Sequence, residues 1–239
     1  EAALFDAEGC VVMPGFVDPH THLVWAGDRA EEFSLRLQGK SYMEIMESGG
    51  GILSTVRATR QASIQELVSQ TRQRAWQAFS HGTTTAEVKT GYGLSLDSEI
   101  KQLQAILALD DEGPLELVPT FLGAHAIPPE YRGRTDAYVD LLCQEMIPGV
   151  REWWLVNVED RELPFVDVFC EEDVFDLAQS HRILKTARDL DFPLKIHTDE
   201  FTNVGGTSLA VELGAASDDH LVKTSHEDIQ ALGNSDTVA

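Results

Sequence analysis

Apolar and polar positions along the chain follow two alternating rhythms. Val11 to Leu23 is apolar and rich in β-formers, is broken by Pro14-Gly15, and predicts a strand that runs into Asp18-Pro19-His20-Thr21-His22. A polar, glycine-bearing excursion through Ser48-Gly49-Gly50-Gly51 reads as loop. Ala62 to Ser80 then shows helical spacing, with Ile64, Leu67, Val68, Thr71 and Ala75 on one face, and His81-Gly82 supplies the stop. The pattern repeats as strand Thr83–Val88 and helix Ser98–Leu109, then strand Leu115–Leu122 and an irregular helical stretch from Asp136 to Trp154. Strand Phe165–Phe169 and helix Val174–Leu190 follow, then strand Pro193–His197 and helix Gly206–Leu213. A short strand at Asp218–Leu221, a helix Ser225–Leu232 and the start of a strand at Thr237 complete six βα units and part of a seventh.

So many strand–helix cycles predict an α/β fold with a parallel sheet, and the count favours a (β/α)8 TIM-like barrel over an open doubly wound sheet. The length of 239 residues suits one large domain of that kind. The 18 Lys+Arg against 40 Asp+Glu give a formal charge of −22, which repels phosphate backbones and anionic membrane surfaces; neither nucleic acid nor membrane is expected as a partner. With 43% hydrophobic and 24% charged residues there is ample material for a core. Cys10, Cys143 and Cys170 are odd in number and widely spaced, which fits a reducing, cytoplasmic setting.

Of the eight histidines, His20, His22, His125, His197 and His220 fall at or just past the C-terminal ends of predicted strands, the ends at which a barrel builds its active site. His20 and His22, two residues apart on an extended segment, project to one side and can give a nitrogen each to one metal; two satisfied polar side chains are the other reading. His197 at another strand end supplies a third nitrogen and leaves an open coordination position. Glu200, three residues on, stands where a proton shuttle would be useful, although a solvated loop acid is the plainer account in so acidic a chain. His220 follows Asp218-Asp219, which would favour its cationic form. His81, His181 and His226 read as structural.

Arg29 follows the first strand and offers a local cation against a repulsive global field; on composition alone it is a surface arginine paired with Asp28 or Glu31. Thr90-Gly91-Tyr92-Gly93 presents Tyr92 on a turn after the second strand. The Gly49-Gly50-Gly51 run lacks the ending of a phosphate loop.

These residues resemble the imidazolonepropionase family of the amidohydrolase superfamily. Pro14-Gly15-Phe16-Val17-Asp18-Pro19-His20-Thr21-His22 is similar to the superfamily's first-strand signature. Narrower markers are Gly27-Asp28-Arg29, the segments 36–39 and 49–57, Lys89-Thr90-Gly91-Tyr92-Gly93-Leu94, the segment 120–125, Asp167-Val168-Phe169-Cys170-Glu171 and Lys195-Ile196-His197. The resemblance implies a hydrolase with one zinc or iron ion per chain that opens the ring of 4-imidazolone-5-propanoate, a small anionic substrate, to N-formimidoyl-L-glutamate in histidine degradation. By motif position, His20, His22 and His197 would hold the metal, and Glu200 and His220 would act on the ring and the water. Arg29, Tyr42, Tyr92 and His125 would hold the substrate, with Arg29 and Tyr92 at its propionate.

Family members also carry a metal-binding aspartate on the eighth barrel strand, a small β-sandwich built from both termini, and commonly a homodimer. Residues 1–10 are then expected to be a remnant of the sandwich, and residues 11–239 a barrel incomplete at its C-terminal end, whose activity by itself is open. A deaminase of a cyclic amidine or nucleobase uses the same histidine pattern and is one alternative; a metal-binding segment without catalysis is another.

Overall fold

The computed structural model describes residues 4–40 and 50–239. Six parallel strands lie in chain order: β1 (Phe16–Asp18), β2 (Thr83–Lys89), β3 (Glu116–Ala124), β4 (Phe165–Cys170), β5 (Lys195–Thr198) and β6 (Ser217–His220). Val238 continues the series by pairing in parallel with Ser217, where the sequence predicted a strand beginning at Thr237. The result is a six-strand half-barrel of the α/β class.

Period-two alternation divides the sheet into two unlike faces. Ala86, Val88, Val166, Val168 and Ile196 point outward and pack with Leu103, Ile106, Ile183, Leu184 and Leu209 of the covering helices. Those helices include α3 (Ile64–Ser80), α4 (Leu96–Glu112), α7 (Leu177–Asp189) and α8 (Gly206–Leu213). The inner face is charged: Glu87, Lys89, Asp167, Lys195 and His197 are all buried there.

Helix starts follow local chemistry. Ser63 and Glu66 form a reciprocal capping box on α3, and Asp176 and Gln179 form another on α7, each satisfying backbone donors that the first turn leaves free. The irregular stretch resolves into α5 (Thr135–Leu141), a π-turn at Leu142–Met146 and α6 (Ile147–Asn157). Pro148, with no backbone N–H to donate, stands just after the change of pitch.

Two expectations are corrected. The first strand pairs only over Phe16–Asp18, because Pro14 and Pro19 bracket it and neither can donate to a ladder, so His20 and His22 lie beyond its end. Among the described residues, the excursion before α3 contains two helices, α1 (Ala30–Leu37) and α2 (Ile52–Gln61). Among the described residues no helix is long and apolar enough to cross a membrane.

Candidate metal centre

The segment after β1 stays beside β2 through the Lys89 N–H, which donates to the Thr21 carbonyl at 2.9 Å, and this carries His20 and His22 over the end of the sheet. His197 rises from β5. Adjacent strands stand about 4.8 Å apart, so β1 and β5 would be about 19 Å apart in a flat sheet. Here His22 Nε2 is 3.4 Å from His197 Nε2 and 3.3 Å from His20 Nε2. Curvature of the sheet brings the three rings to one point.

The backs of two rings are held by acids. His20 Nδ1 is 2.9 Å from Asp219 Oδ2, and His197 Nδ1 is 2.9 Å from Asp167 Oδ2. A carboxylate accepts, so the Nδ1 of His20 and of His197 carries the hydrogen and the Nε2 of each turns a bare lone pair toward His22 Nε2. The lone pairs of His20 and His197 converge on His22 Nε2, and a cation among the three nitrogens would accept from all of them. Two nitrogens each about 2.0–2.1 Å from a zinc ion at a tetrahedral angle are about 3.3–3.4 Å apart, the spacing found here. His20, His22 and His197 therefore fit a metal ion. Burial, followed by the charges of neighbouring groups, lowers His22 well below the ordinary histidine range. Burial also takes His197 to about 4 against the opposing pull of Asp167, so both rings are neutral at neutral pH, as metal ligands must be.

Beneath the rings lies a charge cluster that the sequence did not reveal. Lys89 Nζ donates to Glu87 Oε1 at 2.9 Å, Asp167 Oδ2 at 2.7 Å and Asp219 Oδ2 at 3.2 Å, and is fully buried. Burial works against its charge, but the three carboxylates outweigh that and hold the ammonium above the ordinary lysine range. Asp167, fully buried as well, is pulled well below the usual carboxylate range despite its burial, by His197 and Lys89. Lys89 thus bridges the two acids that orient two of the three imidazoles. The signal was present in β2 as Glu87 and Lys89, opposite charges two residues apart in a strand that is otherwise covered.

A cavity of about 840 Å³ opens beside the rings, and Arg29, Tyr92, His125 and Glu200 line it. The His125 ring stacks on His22 with centroids 4.9 Å apart, and its Nδ1 is 3.1 Å from the Gly91 carbonyl. Burial, then His197, lowers His125 to about 3. Tyr92 meets His22 and His125 edge-on at 6.0 and 5.3 Å. Gly91 permits this approach: at φ +101° a Cβ there would stand 2.8 Å from His125 Nδ1. Buried Glu99 fixes the same loop by accepting from the N–H groups of Gly91, Gly93 and Leu94 at 2.7–3.0 Å.

Arg29 is held by Glu32 at 2.7 Å, and Glu32 also accepts from the Gly51 N–H. Glu200 follows Asp199, whose φ of 55° turns the chain out of β5, and its Oε2 is 3.6 Å from His220 Nε2. His220 would point outward by simple alternation. Its φ of 84° turns the ring inward instead, to 5.1 Å from His197 and 5.2 Å from His20. The acids before it play a different part from the one expected: Asp219 serves His20 and Lys89, and Asp218 faces away among the helices. Tyr42 lies outside the described residues.

Comparison with known proteins bears on this site. Residues 3–48 match the model of the amidohydrolase family. The chain is 56% identical over 233 residues to the imidazolonepropionase of Herpetosiphon aurantiacus, covering 98% of this chain and 55% of that protein. It is 54% identical over 239 residues to that of Symbiobacterium thermophilum, covering 100% and 55%. The chain thus spans about half the length of the curated relatives it matches. Among solved structures, A. niger ochratoxinase aligns with a TM-score of 0.54 at 12% identity, over 94% of this chain and 51% of that one. A zinc-bound amidohydrolase from Burkholderia ambifaria aligns at 0.53 and 16% identity, over 90% and 63%. At such identities the likeness is one of fold.

Proposed function

From the premise that the chain is homologous to the imidazolonepropionases of the amidohydrolase family, we propose that the protein opens the ring of 4-imidazolone-5-propanoate to N-formimidoyl-L-glutamate. The observation that carries this is the convergence of three imidazole Nε2 atoms, two of them backed by Asp219 and Asp167, beside a cavity lined by Arg29, Tyr92, Glu200 and His125, whose ring stacks on His22.

His20, His22 and His197 would hold one zinc or iron ion; imidazole donors suit both. When bound, the ion supplies Lewis acidity that polarises the ring carbonyl and brings the ionisation of water toward neutral pH. Glu200 delivers a proton to the ring nitrogen as its bond to the carbonyl carbon breaks. His220, beside Glu200, donates a hydrogen bond to the carbonyl oxygen as charge develops on it. His125, whose Nδ1–H is directed at the Gly91 carbonyl, offers Nε2 as an acceptor to a ring N–H of the substrate. Arg29 and Tyr92 bind the propionate, with Tyr42 as a further substrate contact. One water is consumed, the carbonyl carbon becomes a carboxylate, and no ammonia leaves.

The free state of all three cysteines supports a cytoplasmic setting, and a homodimer is the assembly we assign. Residues 1–10 we assign to a small β-sandwich and residues 11–239 to the barrel.

The test is to follow imidazolonepropanoate loss and ammonia together in the intact, metal-loaded protein. Ring opening without ammonia supports the assignment. One equivalent of ammonia per turnover from a cyclic amidine or nucleobase, with imidazolonepropanoate untouched, would replace it with deamination. Metal near one per chain with no turnover of either substrate would leave a binding protein.

A further inference from the structure

The turn after β4 contains a carboxylate that the proposed mechanism does not use. Glu171 is 4% exposed on the cavity wall, and four donors converge on it. Its Oε2 accepts from the Phe201 N–H at 3.0 Å. Its Oε1 accepts from the Thr202 N–H at 3.1 Å, from the Thr202 hydroxyl, and from its own neighbour's N–H at Glu172, 3.2 Å away. Three of the four come from the two residues that directly follow Glu200. The backbone of Glu171 is itself anchored, since its N–H donates to the Phe175 carbonyl at 3.0 Å and its carbonyl accepts from the Val174 N–H at 3.0 Å.

The other side of Glu200 is fastened independently. The Asp199 carbonyl accepts from the Lys223 N–H at 2.7 Å, and Asp199 Oδ2 accepts from the Thr207 hydroxyl at 3.0 Å. The backbone of Glu200 is therefore flanked on both sides by anchors while its own side chain lines the cavity. Apolar packing contributes little beside it, because Phe201 is largely exposed. A turn so placed would wander without the carboxylate, and proton transfer is sensitive to displacements of about 1 Å.

We infer that Glu171 is a positioning residue: by clamping the N–H groups of Phe201 and Thr202 it fixes the backbone from which Glu200 reaches the substrate. This rests on the reading of Glu200 as the proton carrier. Glutamine at position 171 keeps the shape but presents only one accepting oxygen, so one of the two backbone N–H groups loses its partner.

The experiment is E171Q in the intact, metal-loaded protein, alone and combined with E200Q, with amide hydrogen exchange measured at Phe201 and Thr202. Expected are a fall in kcat of about 10- to 100-fold with little change in KM, and faster exchange at those two amides with the sheet unchanged. In the E200Q background E171Q should cost almost nothing more, because both substitutions remove the same contribution. An equal loss in both backgrounds, or unchanged exchange at Phe201 and Thr202, overturns the clamp. Wild-type turnover in E200Q alone would instead remove the reading of Glu200, and the exchange measurement separates the two failures. Should E171Q not fold, T202V removes one donor of the four and gives the same comparison at smaller amplitude.

Discussion

Lys89 Nζ stands 2.7 Å from Asp167 Oδ2 inside the curve of the sheet, and both side chains are fully buried. The ammonium also meets Glu87 and Asp219, so one positive charge ties together three carboxylates, two of which orient candidate metal ligands. Replacing it with the similarly sized methionine would leave that negative charge buried with less compensation. K89M should lose about 3–5 kcal/mol of stability, the usual result of removing one partner from a buried ion pair. Denaturant unfolding of the metal-free protein reads this directly, and wild-type stability would show that the cluster carries no such weight.

Asp167 and Asp219 bear on the candidate metal centre through His197 and His20. Asparagine at either position keeps the volume but weakens the hold on the imidazole behind it. D167N and D219N should each bind metal about 10- to 100-fold more weakly. Competition against a chelator at fixed pH measures the change. H22A, which removes a nitrogen outright, should drop metal content from near one per chain toward zero; full occupancy in H22A would show that the ion is held elsewhere.

Glu200 stands on the cavity wall, 3.6 Å from His220. Loss of a positioned acid–base group typically costs about 10²–10⁴-fold in rate. E200Q should therefore lose kcat in that range while metal content stays near one per chain. If turnover survived at the wild-type level, the proton would have to travel by another group.

The strand–helix cadence was legible because the outer face of the sheet is apolar and the covering helices carry regular apolar stripes, as in Leu67, Val68, Thr71 and Ala75 of α3. Helices α1 and α2 escaped notice because both lie within a polar stretch of chain, and the glycines before α2 look like loop. The three candidate metal-site histidines could be read from their places near strand ends. Lys89 left a trace as a charge opposite to Glu87 in a covered strand, but its meeting with Asp167 and Asp219 could not be read, since it depends on the sheet curving until β2, β4 and β6 face one another across its interior. Glu171 was hidden for a related reason: its partners lie 30 and 31 residues away, on a turn joined to it only by the fold.

Asp218 gives the clearest dependence on pH. It lies on the outward face of β6, register partner of Ile196, where apolar neighbours would be expected, and neither carboxylate oxygen has a hydrogen-bond partner within the described residues. Burial first, with Asp199, Asp219 and Asp228 adding to it against a pull from Thr207, raises its pKa from 3.8 to about 7. In the unfolded chain the group ionises near the ordinary value, so between about pH 4 and pH 7 the native state holds a proton that the unfolded state has released. Unfolding stability therefore falls as pH rises across that window, is fully present below it and is lost once the folded group ionises near pH 7. D218N removes the ionisation and keeps the shape. Its melting temperature relative to wild type should rise steadily from pH 4 to pH 7 and level off above that, because every other titrating group is common to both proteins. A difference between the two proteins that stays constant over the same range would mean that Asp218 is already ionised in the fold at pH 4, with its charge balanced by a partner.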